Sequence, residues 1–150
     1  MTRILLLEDD HMQREEIREA LVKELGVQVD VKTTESEFRN DFDAIAANPP
    51  DVAILDVMVR WAAPSRSMPE GPDEVTKNPD KAGLRCARLL REAGATKAAK
   101  IILYSVFPKD SGEDDLPETT YLVKESDWQN LVEEVKGLID TPAAGTPGRG

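Results

Sequence analysis

Glu8, Asp9 and Asp10 follow the apolar run Ile4-Leu5-Leu6-Leu7, and Asp56 follows Val52-Ala53-Ile54-Leu55. Ser105 follows Ile101-Ile102-Leu103-Tyr104, and Lys124 follows Tyr121-Leu122-Val123. Each run has the apolar, partly β-branched character of a strand, so these polar residues stand at strand ends. In an open parallel sheet, ligands gather beyond the C-terminal ends of the strands. Such a sheet would bring together acids from two strands, a hydroxyl from a third and an amine from a fourth. Singly, each has an ordinary role: helix-capping acids, a solvated strand-end aspartate, a loop serine, a surface lysine. Together the carboxylates would repel and raise one another's pKa. A hard divalent cation relieves that repulsion, and an oxygen donor set without His or Cys selects Mg²⁺-like metals.

The elements that must position these residues alternate apolar runs with amphipathic stretches, which predicts an α/β fold with a largely parallel sheet. Strands are expected over Arg3–Leu7, 27–32, 51–56, 101–104 and 121–123. Helices are expected over His11–Leu25, 35–47, 82–93 and a last stretch carrying Trp128, Leu131, Val132, Val135, Leu138 and Ile139 on one face. Asp10 is a plausible N-cap of the first helix and Gly26 its stop. Thr34 with Glu37, and Ser126 with Gln129, fit capping boxes. Between 61 and 80 lie four prolines, Gly71 and few apolar residues, a long loop beside Asp56. Residues 107–119 are a poor helix by propensity. One domain over 1–140, with 61–80 as an inserted loop and 141–150 as a flexible tail, is the expected organisation.

The 19 Lys and Arg against 29 Asp and Glu give a net charge of −10. That charge argues against nucleic acid and anionic membranes as partners and suits a bound cation or a basic protein partner. His11 is the only histidine and Cys86 the only cysteine, so histidine metal clusters, histidine triads and internal disulfides are unsupported. Apolar runs fall short of the ~18 residues of a membrane span, and the expected compartment is cytoplasmic. Cys86 reads as core, and His11 as a solvated first-turn residue.

The four segments around Glu8-Asp9-Asp10, Ile54-Leu55-Asp56-Val57-Met58, Ile102-Leu103-Tyr104-Ser105 and Tyr121-Leu122-Val123-Lys124 resemble the signature segments of response-regulator receiver domains of two-component signalling. The resemblance spans about residues 2–139 and implies a flavodoxin-like, doubly wound five-stranded parallel sheet of order 2-1-3-4-5. It implies that Asp56 accepts a phosphoryl group from a histidine kinase or phosphotransfer protein. Glu8, Asp9, Asp56 and the Met58 backbone carbonyl would hold Mg²⁺. Ser105 and Lys124 would contact the phosphoryl group, and Tyr121 would act as the aromatic switch. A stand-alone module of this kind signals by protein–protein contact with a downstream partner rather than by conventional enzymatic turnover.

The sequence also departs from the family. Glu125 stands where proline usually follows the lysine, so Lys124 is expected in a different backbone geometry. The loop after Asp56 is long and reads either as a disordered surface insertion or as a lid or partner-selecting arm that would bring Arg60, Trp61 or Arg66 near the phosphoryl group. The fourth family helix is expected to be weak or missing. These departures keep open a receiver-like adaptor whose binding ignores phosphorylation. An aspartyl-phosphate phosphohydrolase is disfavoured, because Met58 occupies the place of its second acid.

Overall fold

The computed structural model describes residues 2–62, 71–72, 81–107, 116 and 118–140. Most of the expected 61–80 insertion, including Arg66, lies outside the described residues, as do the 141–150 tail and most of 107–119. Within the described residues the chain runs β1 (Arg3–Leu7), α1 (His11–Leu25), β2 (Gln28–Lys32), α2 (Glu35–Asn40), α3 (Phe42–Ala47) and β3 (Val52–Asp56). It continues with α4 (Ala82–Glu92), β4 (Lys100–Ser105), β5 (Thr119–Val123) and α5 (Gln129–Asp140). The strands form one parallel sheet in the order β2-β1-β3-β4-β5. This is the doubly wound order expected of the flavodoxin-like fold.

Alternation along the strands builds two apolar layers. Leu5, Leu7, Leu55 and Leu103 point to the face covered by α2, α3 and α4. Ile4, Leu6, Ile54, Ile102 and Tyr104 point to the face covered by α1 and α5. The central strands β1, β3 and β4 are buried nearly throughout, while the edge strands β2 and β5 are only partly covered. Cys86 belongs to the first layer, and burial pushes its thiol well above its usual range, as for an inert core cysteine.

Local signals account for most boundaries. Asp10 caps α1 by accepting from the Gln13 N–H at 2.8 Å, and Gly26 ends it at φ 64°. The single helix expected over 35–47 is instead α2 and α3, broken at Asp41. Asn40 and Asp41 are weak helix formers, and the Asp41 carboxylate turns to Lys32 at 2.8 Å. The Thr34–Glu37 box forms with one leg displaced. Thr34 accepts from Glu37 N–H at 3.2 Å, but Glu37 accepts from Thr33 N–H at 2.7 Å. The Ser126–Gln129 box is not used. The first turn of α5 is capped by Asp127, which accepts from Gln129 N–H, and by Glu125, which accepts from Asn130 N–H. Trp128 lies just outside the helix in a left-handed conformation at φ 61°. A carboxylate on each side of the turn outcompetes the serine hydroxyl for those N–H groups.

Two contacts fix the helices of this layer, one against the end of β3 and one between α2 and α4. Gly83, in the first turn of α4, lies so close to the strand that a Cβ there would meet Asp56 O at 2.5 Å and Val57 Cα at 2.7 Å. Its N–H donates to Val57 O at 3.0 Å. Glu35, fully buried, accepts from Arg85 through both carboxylate oxygens at 2.8 and 2.7 Å and from Arg39 at 3.0 Å. This fork joins α2 to α4 inside an otherwise apolar layer.

Gly83→Ala should therefore cost about 1–3 kcal/mol in urea unfolding, because backbone rather than a flexible side chain blocks the added methyl. Arg85→Ala should cost about 3 kcal/mol, since Glu35 loses its bidentate partner while buried; the paired change Glu35→Met with Arg85→Leu should recover most of it.

Candidate functional site

The C-terminal ends of β1, β3, β4 and β5 converge on a cleft of about 230 Å³. Glu8, Asp9, Asp10, Gln13, Asp56, Met58, Ser105, Val106 and Lys124 line it. The β1–β3 register sets Leu7 against Leu55, so the residues that follow, Glu8 and Asp56, emerge side by side. One oxygen from each of Glu8, Asp9 and Asp56 lies within 4.8 Å of the others. An all-carboxylate donor set at this spacing fits a hard divalent cation of the Mg²⁺ type.

Burial is graded across the three acids. Glu8 is buried, while the Asp56 and Asp9 side chains retain 12% and 18% exposure, enough to be reached from outside. Burial, then the Asp56 charge, push the Glu8 carboxyl up to about 7, against the opposing pull of Lys124. Asp10 N–H donates to Glu8 Oε2 at 3.1 Å, and Arg14 donates to the Glu8 carbonyl at 3.2 Å. The first turn of α1 thus holds Glu8 in place.

Lys124 enters from β5. Its Nζ donates to Glu8 Oε1 at 2.7 Å, to Asp56 Oδ2 at 2.9 Å and to Gln13 Oε1 at 2.9 Å. The three donors of the ammonium are all used. Burial works against its charge, but Asp56 and Glu8 outweigh that and hold its pKa above the ordinary lysine value. The described residues contain no cis peptide, so the Lys124–Glu125 bond is trans, and the lysine reaches Asp56 from that backbone. Gln13 is a site residue that the sequence did not announce. Its spacing three residues beyond the N-cap was legible; that its side chain turns into the cleft depends on the placement of α1.

The remaining expected residues fall in different places. Met58 lines the cleft, and its N–H donates to Asp56 Oδ1 at 3.0 Å, orienting the carboxylate. Ser105 is buried at the cleft wall, and its hydroxyl accepts from Phe107 N–H at 3.2 Å. Tyr121 sits in β5 opposite Leu103, packed partly buried against the α4-side layer and outside the cleft lining. Arg60 reaches Asp9 Oδ2 with its backbone N–H at 3.1 Å and its Nε at 3.6 Å. Its neighbour Trp61 lies under Arg39, whose guanidinium carbon is 5.5 Å from the ring centre. Of the loop residues expected near the site, Arg60 arrives there and Trp61 turns away to α2.

No protein-family model matches the chain, and no curated protein matches it. Solved structures do. Response regulator protein TrrA from Thermotoga maritima, in complex with Mg²⁺-BeF, is similar at 28% identity and TM-score 0.62, over 92% of this chain and 99% of that one. The complex of histidine kinase ThkA with TrrA matches at 26% identity and TM-score 0.65, over 93% and 99%. A putative response regulator from Chloroflexus aurantiacus shares the fold at 21% identity and TM-score 0.59, over 94% and 100%. With this strand order, these carboxylates around one lysine and these likenesses, the chain has the fold of response-regulator receiver domains and is similar to them.

Proposed function

We propose that the domain accepts a phosphoryl group on Asp56 with Mg²⁺ bound by Glu8, Asp9, Asp56 and the Met58 carbonyl. The observation that carries this reading is the Asp56 carboxylate, with one oxygen 2.9 Å from Lys124 Nζ and the acidic pair beside it. The Met58 N–H on the other oxygen orients Asp56 as a nucleophile. Phosphoryl transfer asks a protein mainly for alignment of the nucleophile and neutralisation of the equatorial oxygens. Lys124 supplies a fixed positive charge, and the Ser105 hydroxyl can donate to a phosphoryl oxygen after giving up its local contact. When bound, the divalent ion supplies further charge neutralisation. Lys124 would then exchange its bond to Asp56 for one to the phosphoryl group, and Tyr121 would follow Ser105 as the switch that alters the β4–β5 surface.

The donor class is a histidine kinase or phosphotransfer protein, as in the ThkA–TrrA complex. A net charge of −10 suits a donor or downstream protein with a basic docking face. Free Cys86 and this class of donor fit a cytoplasmic setting. Among the described residues no helix is long and apolar enough to cross a membrane.

Incubation with acetyl phosphate and Mg²⁺ should add one phosphoryl group to the wild type, seen by intact mass and lost in mild base, and none to Asp56→Asn. An adduct that persists unchanged in Asp56→Asn would refute the assignment. Partner affinity equal in wild type, Asp56→Asn and Asp56→Glu would instead support the phosphorylation-independent adaptor.

Glu8 gives a pH signature. With its folded pKa at about 7 against an ordinary 4.5, the folded protein keeps a proton through that window that the unfolded chain has lost. Stability should thus fall as pH rises from 4.5 to 7, with the burden absent below and complete above. Urea unfolding of Glu8→Gln should show a flatter profile than wild type across that range. Apparent Mg²⁺ affinity should weaken about tenfold per pH unit below 7, because the carboxyl must first release its proton.

A further inference from the structure

We propose that Tyr104, Glu125 and Asn130 form a hydrogen-bonded clasp that positions Lys124 for the phosphoryl group by holding the backbone on both sides of it. This rests on the reading of Asp56 as phosphoacceptor. On one side, the Val123 carbonyl accepts from Asn130 Nδ2 at 2.7 Å. On the other, the Glu125 N–H donates to the Tyr104 hydroxyl at 3.4 Å. The hydroxyl donates in turn to Asn130 Oδ1 at 2.9 Å, and Glu125 Oε1 accepts from Asn130 N–H at 3.2 Å. Donors and acceptors match around this closed set. It fixes the Asn130 amide with its oxygen on the phenol and its nitrogen on the strand.

The surroundings hold the clasp in one arrangement. Tyr104 is 1% exposed, and burial raises its phenol above the ordinary value, so it remains a donor. Trp128 meets the Tyr104 ring edge-on at 6.2 Å and donates from Nε1 to Glu16 at 3.0 Å. Its left-handed backbone is the kind of strain that persists only where neighbours over-determine it. Lys124 N–H donates to Ser105 O at 2.7 Å. Tyr104 and Ser105 are consecutive in β4, so one face of the strand end serves the clasp and the other presents the hydroxyl to the cleft. None of the clasp side chains lines the cleft, which makes them positioning residues rather than catalytic ones.

The test uses Tyr104→Phe, which deletes only the hydroxyl, with Asn130→Ala as a second variant. Beryllium fluoride with saturating Mg²⁺ serves as the phosphoryl probe, read by fluorine NMR. Each variant should bind it about fivefold more weakly, the scale of one lost hydrogen bond. Affinity for Mg²⁺ alone should not weaken, and the loss should vanish in a Lys124→Ala background. Unchanged beryllium fluoride affinity in Tyr104→Phe, or an equal loss with and without Lys124, would overturn the clasp. A purely helix-capping role for Asn130 would give that second pattern. A wild type that binds no beryllium fluoride would sink the phosphoacceptor reading. The clasp is then judged by the Lys124 ammonium signal of the ion-free protein in nitrogen NMR. Sharp in wild type and broadened in Tyr104→Phe, it supports the clasp; unchanged, it refutes it.

Discussion

A single ammonium group stands between two carboxylates at the centre of this protein. Lys124 bonds Glu8 and Asp56 at once, with its side chain only 7% exposed, and Asp9 adds a third acid beside them. In a partly desolvated cleft, one cation cannot neutralise that much negative charge. The raised Glu8 pKa comes first from burial and then from the Asp56 charge, which Lys124 does not fully offset. The site is thereby poised for added positive charge. The sheet order, the capping of α1 and the turn after β5 all keep these groups in reach of one another.

The same constraint extends away from the cleft on the α2 side. Arg60 bonds Asp9, and the carbonyls of Arg60 and Trp61 accept the first N–H groups of α2, from Glu35 and Ser36, at 2.9 and 2.7 Å. Glu35 is the residue that Arg85 and Arg39 hold, and Arg39 covers Trp61. A continuous polar path therefore runs from the acidic cleft, along the segment after β3, into the α2–α4 layer. A buried ion pair contributes little net stability against a hydrophobic replacement. Here it commits the helices to one mutual arrangement beside the strand that carries Asp56.

Much of this was legible in the chain because strand ends are marked by sharp changes from apolar to polar residues. Glu8, Asp9, Asp56, Ser105 and Lys124 each follow such a run, and the parallel fold brings their ends together. The break at Asp41 was not legible, because it depends on Lys32 across the loop. The unused Ser126 cap shows the same limit: Glu125 and Asp127 compete for the same N–H groups, and only the path of the turn decides between them. Gln13 and Arg60 were ambiguous for a similar reason, since their side chains acquire partners only from other elements.

The sequence alone determined the alternation of strands with helices and the identity of the charged residues at the strand ends, since these follow from local periodicity and composition. Tertiary structure decided which donors meet which acceptors: Gln13 on Lys124, Arg60 on Asp9, Arg85 on Glu35 and Asn130 around the lysine turn. The physical reason is range. Hydrophobic period acts over a few neighbouring residues, whereas a hydrogen bond between positions 13 and 124 exists only once packing has placed both ends within 3 Å.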